Sequence, residues 1–281
     1  MASTSATTAT ISVMTYNMWK TNGKPTSWKI RSGVLGRQLR ILQPDVLMVQ
    51  ELHPETIAVI LKACPEYDFV KPSVKGGKGS EKGWTHEGNI FWKRGIFSIG
   101  EKALFGAEDI NQEEKDRRLF WVNLVHTSSK RSALFATAHF TWQGQARECA
   151  TDVNLRKDQA RRTAQVLRDL DAKWEFDAII FGGDLNESFW PKRVLESAGF
   201  VDCFSALHLP CRPTHPTRPS VAHEERNADS ALDWLFSMRA RPILANVIKD
   251  MAGLSSEDKD ERHALAIQPS DHMPVMAVYR Y

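Results

Sequence analysis

Apolar residues in this chain fall into short runs rather than long helical stripes. The segments 11–16, 45–50, 89–92, 119–125, 133–140, 178–181, 231–236 and 274–279 are rich in β-branched and aromatic residues and predict strands. Helical periodicity is best developed over 28–42 and 152–170, the second placing Leu155, Val166, Leu167 and Leu170 near one face. Strands outnumber helices and do not alternate with them one for one. That pattern argues against a barrel or a doubly wound parallel sheet and for mixed sheets with helices packed outside.

Three segments lack periodicity and read as long loops: 71–83, with its lysines and glycines; 210–229, rich in Pro, His and Arg; and the charged 253–270. Gly76-Gly77-Lys78-Gly79-Ser80 lacks the spacing of a phosphate-binding P-loop. No repeat recurs at solenoid or propeller periods. Residues 1–10 predict a disordered tail, and the absence of a linker-like stretch predicts one domain over 11–281.

Composition narrows the picture only slightly. The 281 residues are 42% hydrophobic and 25% charged, which excludes a chain that is disordered throughout. A net charge of +3 permits an anionic ligand without pointing to one. Four cysteines without a CxxC pair suggest a reducing compartment, and no apolar run is long enough to span a bilayer. With no signal peptide evident, a cytoplasmic or nuclear protein without membrane insertion is expected, monomeric and with no obligate protein partner. Cys203, His208, Cys211 and His215 do not have zinc-site spacing and read as part of a Pro-rich loop.

The chemistry sits where apolar strands end. The first strand runs into Asn17, the second into Gln50-Glu51, and 178–183 into Asp184-Leu185-Asn186. In extended chain Asp184 and Asn186 project to one side, so both can face one ligand. Ala138-His139-Phe140 closes another strand, and Ser270-Asp271-His272 precedes the last. Asp233 lies inside an apolar run, where an unpaired carboxylate would be costly, so a partner is expected.

Thr15-Tyr16-Asn17, Gln50-Glu51, Glu87-Gly88-Asn89, Thr137 to Phe140, Gly183 to Asn186, Leu232 to Phe236 and Ser270-Asp271-His272, in that order, resemble the endonuclease/exonuclease/phosphatase superfamily. That group includes pancreatic-type deoxyribonuclease, abasic-site endonucleases, mRNA deadenylases, sphingomyelinases and inositol polyphosphate 5-phosphatases. The resemblance implies an α/β (α+β) fold: a four-layer α/β/β/α sandwich of two mixed, mostly antiparallel sheets with outer helices. It implies Mg²⁺, with Mn²⁺ as a possible substitute, held by Glu51 with Asn17 and Asp271 assisting at or near the metal. It gives Asp184 and Asn186 the orientation and deprotonation of an attacking water. His139 and His272 would flank the phosphate, with Asp233 holding His272 and Glu87 holding His139.

The expected activity is metal-assisted, in-line hydrolysis of a phosphodiester, with nucleic acid the leading substrate. A phosphatase or phospholipase acting on phosphoinositide or sphingolipid head groups is the alternative, and a non-catalytic scaffold the third. Trp19, Trp142 and Trp190 each follow a site motif by a few residues and could stack on a base, Trp142 and Trp190 foremost because their flanks read as exposed loops. Lys20, Lys24, the lysines of 71–82 and Arg147 could form a basic rim.

Overall fold

The structure, a computed structural model, describes residues 8–19, 28–71, 81–100, 104–111, 117–215, 230–248 and 269–281. Two sheets form its centre. The first has six strands, β1 (Thr10–Asn17), β2 (Val46–Gln50), β3 (Tyr67–Phe69), β4 (Gly88–Lys93), β12 (Arg241–Val247) and β13 (Val275–Arg280), in the order β12-β13-β1-β2-β4-β3. The second has β5 (Phe97–Ile99), β6 (Phe105–Asp109), β7 (Arg118–His126), β8 (Ser132–His139), β9 (Ala178–Asp184), β10 (Val201–Asp202) and β11 (Asp233–Met238), in the order β10-β11-β9-β8-β7-β5, with β6 also paired to β7.

Only β1–β2 and β8–β9 pair in parallel among the described strands. Parallel neighbours need a crossover, and helices supply it. The helix α1 (Trp28–Leu42) links β1 to β2, while α4 (Ala146–Thr151) and α5 (Leu155–Trp174) lie between β8 and β9. The other helices are α2 (Pro54–Ala63), α3 (Glu81–His86), α6 (Trp190–Ser197) and α7 (Cys203–Ala206).

The period-two pattern of each strand explains the layers. Val13, Met48, Ile90, Phe135, Ile180 and Leu235 point between the sheets and form the central core. The alternate residues Met14, Tyr16, Leu47 and Val49 pack against Leu35, Leu39 and Ile60 of α1 and α2. Leu134, Ala136 and Phe181 pack against Ala160, Ala164, Leu167 and Leu195 of α5 and α6. Helices therefore cover the outer face of each sheet, as the strand-heavy pattern predicts, giving the α/β/β/α sandwich that the resemblance implied.

All eight expected strands and both expected helices are present, with ends shifted by a few residues. Ala9 and Thr10, at the end of the expected tail, already belong to the fold: Ala9 exchanges backbone hydrogen bonds with Tyr281, and Thr10 pairs with Arg280. Most of the three expected loops lies outside the described residues, as do Lys20 and Lys24. Among the described residues no helix is long and apolar enough to cross a membrane.

Candidate active site

Sheet register alone gathers half of the site. In the second sheet His139 lies opposite Asp184, and Asp184 opposite Asp233. In the first, Asn17 lies opposite Gln50, and Gln50 opposite Gly88. Asn17, Gln50, His139, Asp184 and Asp233 have the inward parity of their strands, so they meet between the sheets at the end where the apolar core stops. Close approach is required there. A Cβ on Gly183 would stand 2.2 Å from the Ala138 carbonyl oxygen, so only glycine lets β8 and β9 carry His139 and Asp184 side by side.

The buried Asp184 carboxylate is the hub. Its Oδ1 accepts the Asn186 backbone N–H at 2.8 Å, and its Oδ2 accepts from Asn17 Nδ2 at 3.0 Å. The same Oδ2 is 3.4 Å from His139 Nε2 and 3.7 Å from His272 Nε2. Asn17 Nδ2 also donates to Glu51 Oε1 at 3.1 Å. Because the Trp19 N–H occupies Asn17 Oδ1 at 3.0 Å, the amide is fixed with its NH₂ toward both carboxylates.

The two imidazoles are held in opposite states. Asn186 Nδ2 donates to the Phe140 carbonyl at 2.9 Å, which fixes its amide, and the other hydrogen then meets His139 Nε2 at 2.9 Å. That nitrogen must accept, so His139 is neutral. Burial pushes its pKa down to about 4, with Asp184 opposing only in part. His272 is buried too, yet the Asp233 and Asp184 carboxylates outweigh burial and raise it to about 10. Its Nδ1 meets Asp233 Oδ2 at 2.8 Å, the pairing the family resemblance implied. Burial and repulsion from Asp233 push the Asp184 carboxyl upward, against His272, His139 and Asn17.

Ser270 and Thr214 position this pair. The Ser270 hydroxyl donates to the Asn17 carbonyl at 2.7 Å and accepts the His272 N–H at 3.1 Å, tying the C-terminal loop to the end of β1. Thr214 Oγ1 accepts the backbone N–H groups of Leu232 and Asp233 at 2.9 and 3.0 Å. His215 lies beside Asp271, Nε2 to Oδ2 at 3.8 Å, with its ring centroid 4.7 Å from that of His272. In the sequence Ser270 stands out only as part of its motif and His215 only in the rejected zinc window, and nothing there gives them or Thr214 this positioning role.

Glu87 is placed differently from expectation. It lines a cleft of about 270 Å³ with Gln50, Glu51, Arg117, Arg118 and His139, but its Oε1 accepts from Arg118 Nη1 at 2.7 Å, and His139 turns Nε2 to Asn186 and Asp184 instead. An arginine from β7 is the stronger partner for a carboxylate than a neutral imidazole. Trp19 is buried, with the Arg31 guanidinium 4.4 Å from its ring centroid, so it is part of the wall. Trp142 and Trp190 are about half exposed, as expected, and Phe189 joins them.

Arg31, missed by the sequence reading, is fully buried and donates to the carbonyls of Pro269 and Trp19, both at 2.8 Å. Burial pulls its pKa down, while Asp271, Tyr16 and Glu51 pull the other way. A signal existed: Arg31, Leu35 and Leu39 stand on one i, i+4, i+8 row of α1, so an arginine occupies a core position. Arg156 was missed as well. It bonds Glu187 at 2.8 Å and both oxygens of Glu148, joining the loop that carries Trp142 to the one that carries Trp190.

The donor set suits a hard divalent cation. Glu51 and Asp271 offer carboxylates, and Asn17, whose amide NH₂ faces Glu51 and Asp184, orients the first of them; the charged His272 and Arg31 lie among these carboxylates. Carboxylate and imidazole atoms of Asp184, Asp233 and His272, and of His215, Asp271 and His272, also cluster closely enough to share an ion. Neither cluster contains a cysteine: of the Cys203, His208, Cys211 and His215 set only His215 joins a possible metal group among the described residues.

No curated protein matches the chain. Solved structures share its fold at low identity. A family protein from Bacteroides thetaiotaomicron aligns at 18% identity and TM-score 0.73, over 99% of this chain and 97% of its own. A mannosyl-6-phosphatase of the same species aligns at 18% and 0.71, over 96% and 100%. D. rerio TDP2 complexed with single-strand DNA product aligns at 16% and 0.67, over 96% and 99%. The model of the Endonuclease/Exonuclease/phosphatase family matches residues 14–272, from β1 through His272, and the chain belongs to that family of metal-dependent phosphoester hydrolases.

Proposed function

We propose that the protein is a Mg²⁺-dependent phosphodiesterase that cuts nucleic acid. The observation that carries this reading is the Asp184 carboxylate, buried between a neutral and a charged imidazole and fixed by Asn17 and Asn186. Such a group can take the proton of a water attacking phosphorus. Asn186 orients it, and His272, held charged by Asp233, meets negative charge growing on the phosphoryl oxygens. His139, neutral and fixed by Asn186, lines the other side of the Asp184 carboxylate. Glu51 and Asp271 would hold Mg²⁺, with Asn17 orienting Glu51, and the ion when bound neutralises charge on the phosphate.

Nucleic acid is favoured by the exposed rings of Trp142, Phe189 and Trp190, which border the loops after His139 and Asn186 and offer faces for unstacked bases. The likeness to D. rerio TDP2 complexed with single-strand DNA product is in keeping with it. A second reading, a phosphatase of small phosphoesters, is favoured by the cleft with Arg117 and Arg118 beside Glu51 and by the likeness to a mannosyl-6-phosphatase.

The test is a time course on an end-labelled single strand, half RNA and half DNA, in Mg²⁺, in chelator, and with Asp184→Ala. Mg²⁺-dependent cleavage lost in the variant is the expected result. An intact strand alongside turnover of sugar phosphates would replace the first reading with the second.

A further inference from the structure

A groove of about 570 Å³ lies on the outer face, between α5 and α6, away from the cluster around Asp184. Lys157, Arg161 and Arg168 line one wall, and Trp190 and Arg193 the other. On α5 these positions follow i, i+4, i+11, a single face next to the stripe that packs on the sheet. Among the described residues no acidic side chain lines the groove. Asp158 and Glu196, at its margin, pair with Arg161 and Arg193.

The groove begins at the catalytic end. Asn154, the N-cap of α5, donates to Glu187 Oε2 at 2.8 Å, and Glu187 Oε1 accepts the Trp190 N–H at 3.0 Å. Glu187 follows Asn186 directly, so both helices start beside the site. Lys157 Nζ stands 4.7 Å from the Trp190 ring centroid, and the cations continue from there along α5. From Lys157 to Arg168 the helix rises about 16 Å at 1.5 Å per residue. That length covers about four or five phosphates at the 3.4 Å strand spacing of a duplex, fewer if the strand is stretched.

We infer that this groove binds the phosphate backbone of a single-stranded nucleic acid outside the reacting nucleotide, with Trp190 at the turn from site to groove. The inference rests on the nucleic-acid reading above and extends it. A small phosphoester would end before the groove, whereas a strand passing over Trp190 meets one cation after another. Backbone contacts of this kind add affinity without sequence preference.

The test uses the full chain carrying Asp184→Ala, so that the probe stays intact, with a fluorescein-labelled single strand of about 20 nucleotides read by anisotropy across a salt series. Adding Arg161→Ala and Arg168→Ala, both on the exposed surface of α5, should weaken binding about tenfold near 0.1 M salt. The slope of log K against log salt should fall by about 1.4, two contacts at about 0.7 each. Arg161→Glu with Arg168→Glu should weaken binding further, and circular dichroism melts should match. In the active protein the alanine pair should raise KM for the long strand and leave hydrolysis of bis-p-nitrophenyl phosphate unchanged.

Unchanged affinity and slope overturn the inference. So does equal competition by poly-glutamate of matched charge, or binding to phosphatidylserine vesicles that the same substitutions abolish. The two readings fail separately. A strand bound through the groove but left uncut by the active protein sinks only the nuclease, and cleavage with groove-independent binding sinks only the groove.

Discussion

Asp233→Asn should nearly silence the enzyme without unfolding it. Asparagine keeps the shape of the side chain and can still accept from His272 Nδ1, so the substitution removes charge and little else. In the native protein that contact is 2.8 Å long and fully buried on the Asp233 side. Asp233 Oδ1 has no hydrogen-bond partner among the described residues, and Asp233 stands directly opposite Asp184 in the ladder. Like charges at opposed positions destabilise a sheet by roughly 0.2–1 kcal/mol. The relief from removing one is small beside the loss of the carboxylate that holds His272 charged, so at neutral pH the metal-free protein should melt lower, and the gap should close above about pH 10, where native His272 is neutral as well.

Activity should fall much further. Without Asp233, burial takes over the His272 imidazole and the cation that faces the phosphoryl oxygens is lost. Losing one such donor costs roughly 10²–10³ in kcat, about 3–4 kcal/mol. His272→Ala should cost as much, and the double variant no more than either single one, a coupling of about 3 kcal/mol. The assay is kcat on bis-p-nitrophenyl phosphate and on a labelled strand, alongside calorimetry. Additive losses in the cycle, or a melting temperature at neutral pH no lower than the native one in Asp233→Asn, would refute the account, because Asp233 would then not be what holds His272 charged.

Two more outcomes follow from local geometry. Glu51 is held at φ 52°, a left-handed conformation that costs a non-glycine residue about 1–2 kcal/mol; Glu51→Gly should keep or slightly raise stability in chelator. The same variant should lose both metal-dependent turnover and the rise in melting temperature that Mg²⁺ gives the native protein, and a Mg²⁺ response like the native one would remove Glu51 from the metal site. Arg156→Met should cost about 3 kcal/mol by urea unfolding, because Glu187 stays buried with only the Asn154 and Trp190 N–H donors; a cost under about 1 kcal/mol would make it an ordinary surface pair. Burial alone would raise the Glu148 carboxyl, but its bonds to Arg156 and to the Gly144 N–H hold it below the usual range. That part of the stability is present above the ordinary glutamate pKa and lost as pH falls through the depressed value, so the gap between native protein and Arg156→Met should narrow in acid.

The residues that the sequence made legible share a trait: each ends or follows an apolar run. Asn17, Glu51, His139 and Asp184 announce themselves because a polar side chain where a core strand stops has to be accounted for. Strands without such a run stayed hidden. β3, β5 and β10 have two or three residues, and β12 is an edge strand with Pro242 at a bulge and most of its side chains partly or fully exposed. Partnerships across long sequence distances were illegible for another reason. Nothing near Glu87 marks Arg118 as its mate, and Arg156 looks like one more cation on α5 until Glu187 and Glu148 close on it. Periodicity reports which face is buried; it does not report which charge meets which.

That limit explains why the site is strained in the way it is. Five inward positions at one end of the sandwich carry Asn17, Gln50, His139, Asp184 and Asp233, where continuing the pattern would have put apolar side chains. Gln50 bridges the sheets there, its Nε2 reaching the hydroxyls of Thr15 at 3.0 Å and Thr137 at 2.6 Å, so even the floor of the site is polar. Buried carboxylates opposed in register are unfavourable by themselves, and the ladder bonds on both sides, the charged His272 and the donors on Asp184 hold the pair in place. A sequence chosen for stability alone would place leucine or valine at those positions. Polar groups retained at all five, each oriented by a second group, are better explained by a charged ligand that completes them, and a phosphate with its divalent cation has the charges to do so.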